Sequence, residues 1–97
     1  MTEGKKFDDS KPRFSLIPAE ALPPVMRTLE YGAKKYSENN WRYVTNAHAR
    51  YFDAAHRHLA AWWSGETEDA ESGESHLAHA ICCLMFLLSL EQGADKE

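Results

Sequence analysis

With 97 residues, the chain is a single small domain that buries only a limited share of its own surface, so association with copies of itself is expected. A net charge of -4 with no basic stripe argues against binding to duplex nucleic acid. A polar N-terminus and short apolar runs argue against a signal peptide or a membrane span. The two cysteines, Cys82 and Cys83, are adjacent and cannot readily bond to each other, which argues against a disulfide framework and for a soluble protein of the reducing cytoplasm.

No segment shows the alternating polarity of a strand, and no repeat or low-complexity stretch appears. The expected fold is all-α: a small bundle of about three main helices with an extended N-terminal arm, completed by oligomerisation. Residues 1–17 form the arm, which lacks helical periodicity, contains Pro12 and carries Lys5, Lys6, Lys11 and Arg13. Residues 18–92 form the helical core. Pro18 suits a first helical turn, and Pro23-Pro24 interrupts or restarts the helix because proline lacks the amide proton.

From Val25 a helix is expected to about Tyr36, with Val25, Met26, Leu29 and Ala33 at helical spacing and Gly32 open to close approach by a backbone or ligand. After the loop SENNW, Asn46 is the expected N-cap of a helix over 47–64, with Gly65 as its stop. Tyr51, Phe52, Ala55, Leu59 and Trp62 share its apolar face, opposite Arg50, Asp53, Arg57 and Ser64. Asp53 and Arg57 are also spaced for an ordinary i,i+4 ion pair. The last helix is expected to start near Ser72 or Glu74 and to run to about Glu91, with Gly93 ending it. From Leu77 to Leu90 it is apolar on nearly every side. It must therefore lie at the centre of a bundle or be wrapped by a partner subunit.

Charge is unevenly spread. Residues 1–63 hold ten of the eleven Lys and Arg against seven acids, whereas residues 64–97 hold eight acids and only Lys96. Such a division suits the joint binding of an anion and a cation, as in a metal-nucleotide site, although attraction between two halves or two subunits gives the same pattern. The acidic segment GETEDAESGE places Glu66, Glu68, Asp69, Glu71 and Glu74 within nine residues. Divalent cations among the carboxylates would relieve their repulsion; the plainer reading is a solvated inter-helix loop.

His76, His79 and Cys83 share one helical face, with Ser72 a turn earlier, but a fourth zinc ligand is missing. The favoured role for both imidazoles is to bond carboxylates of the acidic loop or to support a bound cation. His56 and His58 point to different sides of their helix. Packing or hydrogen bonding is the default for both, and His56 is the one placed to reach a ligand. The segment YGAKKYSENNW brings Lys34 and Lys35 together with Tyr31, Tyr36, Trp41, Asn39 and Asn40. These supply ammonium groups for phosphate, rings for a base and amides for its edge, and they also describe an ordinary helix end.

Taken in order, KFDDSKPRFSLIP, YGAKKYSENNW and RHLAAWWSGETEDAESGESHLAHA followed by an apolar helix resemble the phage dATP/dGTP diphosphohydrolase N-terminal family over roughly residues 4–91. That family is considered similar to the MazG-type all-α pyrophosphohydrolases, which act as oligomers with Mg²⁺ or Mn²⁺. The resemblance implies a homo-oligomer, dimer or tetramer, built through residues 74–91 and located in the host cytoplasm. It also implies cleavage of a purine deoxynucleoside triphosphate to monophosphate and pyrophosphate. On that footing the metal falls to Asp53, Glu66, Asp69, Glu71 and Glu74, with Asp69, Glu71 and His79 catalytic. The triphosphate falls to Lys11, Arg13, Lys34, Lys35 and Arg57, and the base or ribose to Tyr36, Asn39, Asn40 and Trp41. MazG-type enzymes usually pair E-E-x-x-E with E-x-x-D, whereas this chain has Glu71-x-x-Glu74 and His76-x-x-His79, so either the acidic loop supplies substitute ligands, or catalysis is weaker than the resemblance implies, or the family's activity is assigned by analogy. A nucleotide-binding protein without turnover, or a purely structural helical oligomer, are the other readings.

Overall fold

The computed structural model describes residues 3–93. Lys96, the lone base of the acidic half, lies outside them, as do the first two residues of the arm. Residues 3–17 of the arm are exposed, with a turn in which the Lys11 amide donates to the Asp8 carbonyl at 3.1 Å and a single 3₁₀ turn at Phe14–Leu16; a second 3₁₀ turn, Ala19–Ala21, follows the arm. Three α-helices follow: α1 (Leu22–Lys35), α2 (Ala47–Trp63) and α3 (His76–Glu91), with a further 3₁₀ turn at Asn40–Tyr43. The fold is a small all-helical bundle; among the described residues the only strand-like pairing is an isolated bridge between Glu68 and Ser75.

The prolines open α1. Pro23 and Pro24 occupy its first turn, where amide protons have no intrahelical acceptor, so the helix begins at Leu22, three residues before the expected start. Asn46 does precede α2, but as a left-handed residue (φ 60°) whose side chain makes no capping bond. Asparagine tolerates this conformation better than most residues. Gly65, at φ 106°, ends the helix.

α3 starts at His76, later than the charge pattern implies. Residues 66–75 close instead into a hairpin-like turn, in which the Asp69 amide donates to the Glu74 carbonyl at 2.8 Å and the His76 amide to the Thr67 carbonyl at 2.9 Å. Gly73 supplies the left-handed corner at φ 76°. The Ser75 hydroxyl then caps α3 by accepting from the Leu77 amide at 3.0 Å.

α3 packs against both α2 and α1. Apart from the His76 ring, the buried interior consists of small groups: Val25 and Thr28 of α1, Ala47 and Ala55 of α2, and Ala78, Ala80, Cys82 and Cys83 of α3. The Cys82 thiol points to the Val25 carbonyl at 3.7 Å. The inner stripe of α2 passes through Ala47, Tyr51, Ala55 and His58, while Phe52, Leu59 and Trp62 of the expected apolar face are exposed. The apolar girth of α3 is likewise only partly covered: Leu77, Ile81, Leu84 and Leu88 form an exposed stripe. The Cα radius of gyration is 16.9 Å, against about 13 Å for a compact domain of this length. The difference reflects the projecting arm and a thin core.

Candidate functional site

The end of α1, the following loop, the middle of α2, the acidic turn and α3 together surround a cleft of about 620 Å³. That lies within the roughly 300–1,000 Å³ of small-molecule sites. Lys35, Tyr36, Asn39, Asn40, Trp41, Arg57, Asp69, Glu71 and His79, drawn from segments far apart in the chain, line it together. Gly32 lines it as well, with open space where a Cβ would stand, leaving room for the close approach expected of that position.

The other sequence candidates lie elsewhere. Lys11 and Arg13 are exposed on the arm, where the Arg13 guanidinium reaches Ser15 Oγ at 3.5 Å. Lys34 is exposed and Asp53 sits on the outer surface of α2, neither of them lining the cleft. His56 is exposed and packs on the Phe52 ring, whereas His58 faces inwards. Helical spacing placed His58 near the apolar side of α2, but only tertiary packing shows what it meets there.

One wall is an ionic cluster. Lys35 Nζ donates to Glu71 Oε2 at 2.6 Å, and the Tyr31 hydroxyl donates to the same oxygen. These bonds hold the Glu71 carboxyl below the usual carboxylate range, and Glu71 in turn raises both the Lys35 ammonium and the Tyr31 phenol. Lys35 also lies 5.4 Å from the centroid of the Tyr36 ring. The cleft therefore carries a cation set among aromatic faces and held by a single exposed carboxylate.

Beside it lies a histidine cluster, with the His79 ring edge-on to Tyr31 at 6.4 Å between centroids. The His58 and His79 rings stack at 4.5 Å between centroids, and Nδ1 of His58 lies 2.8 Å from Nδ1 of His76. His76 Nε2 donates to Glu66 Oε2 at 2.9 Å, and His79 Nε2 lies 2.7 Å from Ser72 Oγ and 3.8 Å from Asp69 Oδ2. Both imidazoles of α3 thus bond with the acidic turn. Burial pushes the His58 and His79 values down, with neighbouring imidazoles adding to the effect, while Asp69 partly opposes the fall at His79. Burial would raise Asp69, but hydrogen bonds from the Ser72 amide and hydroxyl, together with the nearby imidazoles, leave it below the usual carboxylate range.

The five carboxylates do not form a common cage for Mg²⁺ or Mn²⁺. Glu66 is engaged by His76, Glu71 by Lys35 and Tyr31, and Glu74 by the Arg27 guanidinium at 3.1 Å, while Asp53 stands apart. Only Asp69 and Glu71 reach the cleft. A hard cation surrounded chiefly by carboxylate oxygens does not fit this arrangement as it stands.

The model of the family described as "dATP/dGTP diphosphohydrolase, N-terminal" matches residues 1–97. Over 87 residues the chain is 37% identical to a dATP/dGTP diphosphohydrolase of Salmonella phage PMBT28, a match that covers 90% of this chain but 29% of that protein. The chain thus spans under a third of this relative's length. No solved structure matches it. The family match over the whole length, together with the 37% identity to the phage protein, places the chain in the dATP/dGTP diphosphohydrolase N-terminal family.

Proposed function

We propose that the cleft binds a purine deoxynucleoside triphosphate and hydrolyses its α-β phosphoanhydride bond to give a monophosphate and pyrophosphate. The observation that carries this reading is the presence of Lys35 and Arg57 with Tyr31, Tyr36 and Trp41 in one cleft that Asp69 and His79 also line. The two cations suit the phosphates, the rings offer stacking for a purine and Asn39 and Asn40 offer amides for its edge. The name of the phage relative points the same way.

The chemistry asked of these side chains is modest. Water attacks phosphorus, the bridging P–O bond breaks and pyrophosphate leaves with the bonding electrons, while the proton of the attacking water passes to a base. His79, kept neutral by burial, is suited to take that proton, and Ser72 and Asp69 orient its ring. Lys35 and Arg57 offset charge developing on the phosphate oxygens, so positioning and electrostatics supply most of the effect. Self-association through the exposed α3 stripe belongs to the same proposal, because Leu77, Ile81, Leu84 and Leu88 follow the 4-3-4 spacing of a helix-pairing seam.

The test is product analysis. Purified chain is incubated with each deoxynucleoside triphosphate and Mg²⁺ or Mn²⁺, denatured and examined for monophosphate and pyrophosphate. Release from dATP or dGTP supports hydrolysis; intact nucleotide from every reaction refutes it. A second reading, a nucleotide binder without turnover, is favoured by one observation: Glu71 is already neutralised by Lys35 and Tyr31. Nucleotide that co-purifies intact, with no pyrophosphate formed on incubation, identifies that case.

A further inference from the structure

We infer that His58, Asp69 and His76 form a binding site for a transition-metal dication of the zinc type, distinct from a carboxylate cage for Mg²⁺. One ligand atom from each residue lies within 4.8 Å of the others, and this is the only such trio among the described residues. They come from three elements, the middle of α2, the acidic turn and the start of α3, so the site exists only in the folded chain.

The surroundings match what such an ion requires. Glu66 accepts from His76 Nε2, which leaves Nδ1 of that ring, directed at His58, as the atom placed to take an ion. A metal-bound imidazole is commonly held by a carboxylate in this way. Asp69 is oriented by the Ser72 amide, which donates to Oδ2 at 2.8 Å, and His58 is fixed by the flat contact of its ring with His79. The two Nδ1 atoms stand 2.8 Å apart. Tetrahedral coordination at about 2.0–2.1 Å calls for roughly 3.3 Å between them, a separation small side-chain rotations provide.

Without an ion, one of these two nitrogens must donate to the other, whereas an ion takes lone pairs from both. Asp69 and Glu66 together balance two positive charges. Two imidazoles and one carboxylate select a borderline metal over Mg²⁺, which prefers oxygen. His58 and Asp69 also line the cleft, whereas His76 is buried behind them. With His58 and Asp69 on the cleft wall, water or a phosphate oxygen from the cleft would complete the coordination. Only that last role rests on the proposed nucleotide chemistry; the metal site rests on its own geometry.

The experiment reads metal directly. The purified full chain is stripped with a chelator, dialysed and titrated with Zn²⁺ against a chromophoric competitor, and with Co²⁺ followed by its visible absorption. One equivalent is expected, undisplaced by a large excess of Mg²⁺. His58→Gln and Asp69→Asn should abolish binding, Glu66→Gln should weaken it by roughly 10–100-fold, and His56→Gln should leave it unchanged. Circular dichroism checks that each variant retains its helices. Where a variant unfolds, imidazole NMR signals of the wild-type chain decide, with Zn²⁺ shifting His58 and His76 but not His48 or His56. No bound equivalent in the wild-type chain, or undiminished binding in folded His58→Gln and Asp69→Asn, overturns the assignment. Zinc binding without pyrophosphate release would refute the proposed hydrolysis and leave this site standing.

Discussion

The Trp41 indole lies flat on the Phe86 ring, with centroids 4.8 Å and planes 11° apart. This contact pins the turn after α1 to the middle of α3, and Tyr51 meets the same Phe86 ring edge-on at 5.1 Å. The loop that carries Asn39 and Asn40 is thus held over the cleft by one aromatic stack. Trp41→Ala should destabilise the fold by about 2–3 kcal/mol and Trp41→Phe by about 1 kcal/mol or less. Urea unfolding followed by circular dichroism measures both. Equal losses in the two variants would show that the stack does not anchor the loop.

Variants of Lys35 and Glu71 test the proposed binding and the proposed turnover separately. Because the pair is exposed, removing either member should leave the melting temperature nearly unchanged. Lys35→Ala should weaken triphosphate binding by about tenfold or more, the effect of losing one charge-assisted contact. Glu71→Gln releases Lys35 from its carboxylate and should tighten binding, and turnover falls only if Glu71 takes part in the chemistry. Isothermal titration with a non-hydrolysable triphosphate, alongside kcat, distinguishes the two effects.

Helix entry makes opposite demands on two residues. Ser75→Ala should cost about 1 kcal/mol, because the Ser75 hydroxyl accepts the Leu77 amide. Asn46→Gly should be neutral or mildly stabilising, because Asn46 contributes a left-handed backbone and no side-chain cap. Thermal melts of the two variants test this, and a loss in Asn46→Gly as large as that in Ser75→Ala would contradict it.

The Cys82 thiol is pushed up to about 12 by burial, and burial raises Cys83 as well. In the unfolded chain a thiol ionises near pH 8.5. Above that value the unfolded state releases protons that the native state keeps. The contribution to stability is therefore fully present below about pH 8.5 and is lost as pH rises towards the folded values. Stability measured from pH 7 to 10 should fall over this window, and Cys82→Ala should flatten the fall. Both thiols should resist alkylation at pH 8 until denaturant is added.

The exposed stripe on α3 gives the association test. Leu84→Glu and Leu88→Glu place charges at side chains that are 52% and 58% exposed, so the isolated fold should tolerate them. If the stripe pairs with a second copy, both variants should run as monomers in light scattering while the wild-type chain runs as a dimer or tetramer. A monomeric wild-type chain would refute association through α3.

The helical class, the three main helices and the exposed arm follow from periodicity and proline placement, and most helix ends fall within three residues of their expected positions. The start of α3 was harder to read. The acidic run resembles a helical first turn in composition, and only the backbone bonds from Asp69 to Glu74 and from Thr67 to His76 show that it closes as a turn. The α2 face differs in part for a related reason: Tyr51 and Ala55 of the expected face do turn inward, but the close approach of α3 at Ala55 leaves Phe52, Leu59 and Trp62 exposed. Site residues were legible by chemical type more than by partner. Glu66 and Glu74 are acids of the same loop, yet one meets a histidine and the other Arg27, 47 residues away. Pairings at that range depend on how the helices lie, which local pattern does not encode.

No large side chain in the described chain is fully enclosed. A domain with so thin an interior has little cohesion of its own to spare, and its cleft is bounded by the end of α1, the acidic turn and α3, where the Lys35–Glu71 and Arg27–Glu74 bonds add to the packing of α1 on α3. On the proposed function, nucleotide bound only by the folded cleft adds to folding stability, so the chain's resistance to unfolding should rise with nucleotide concentration.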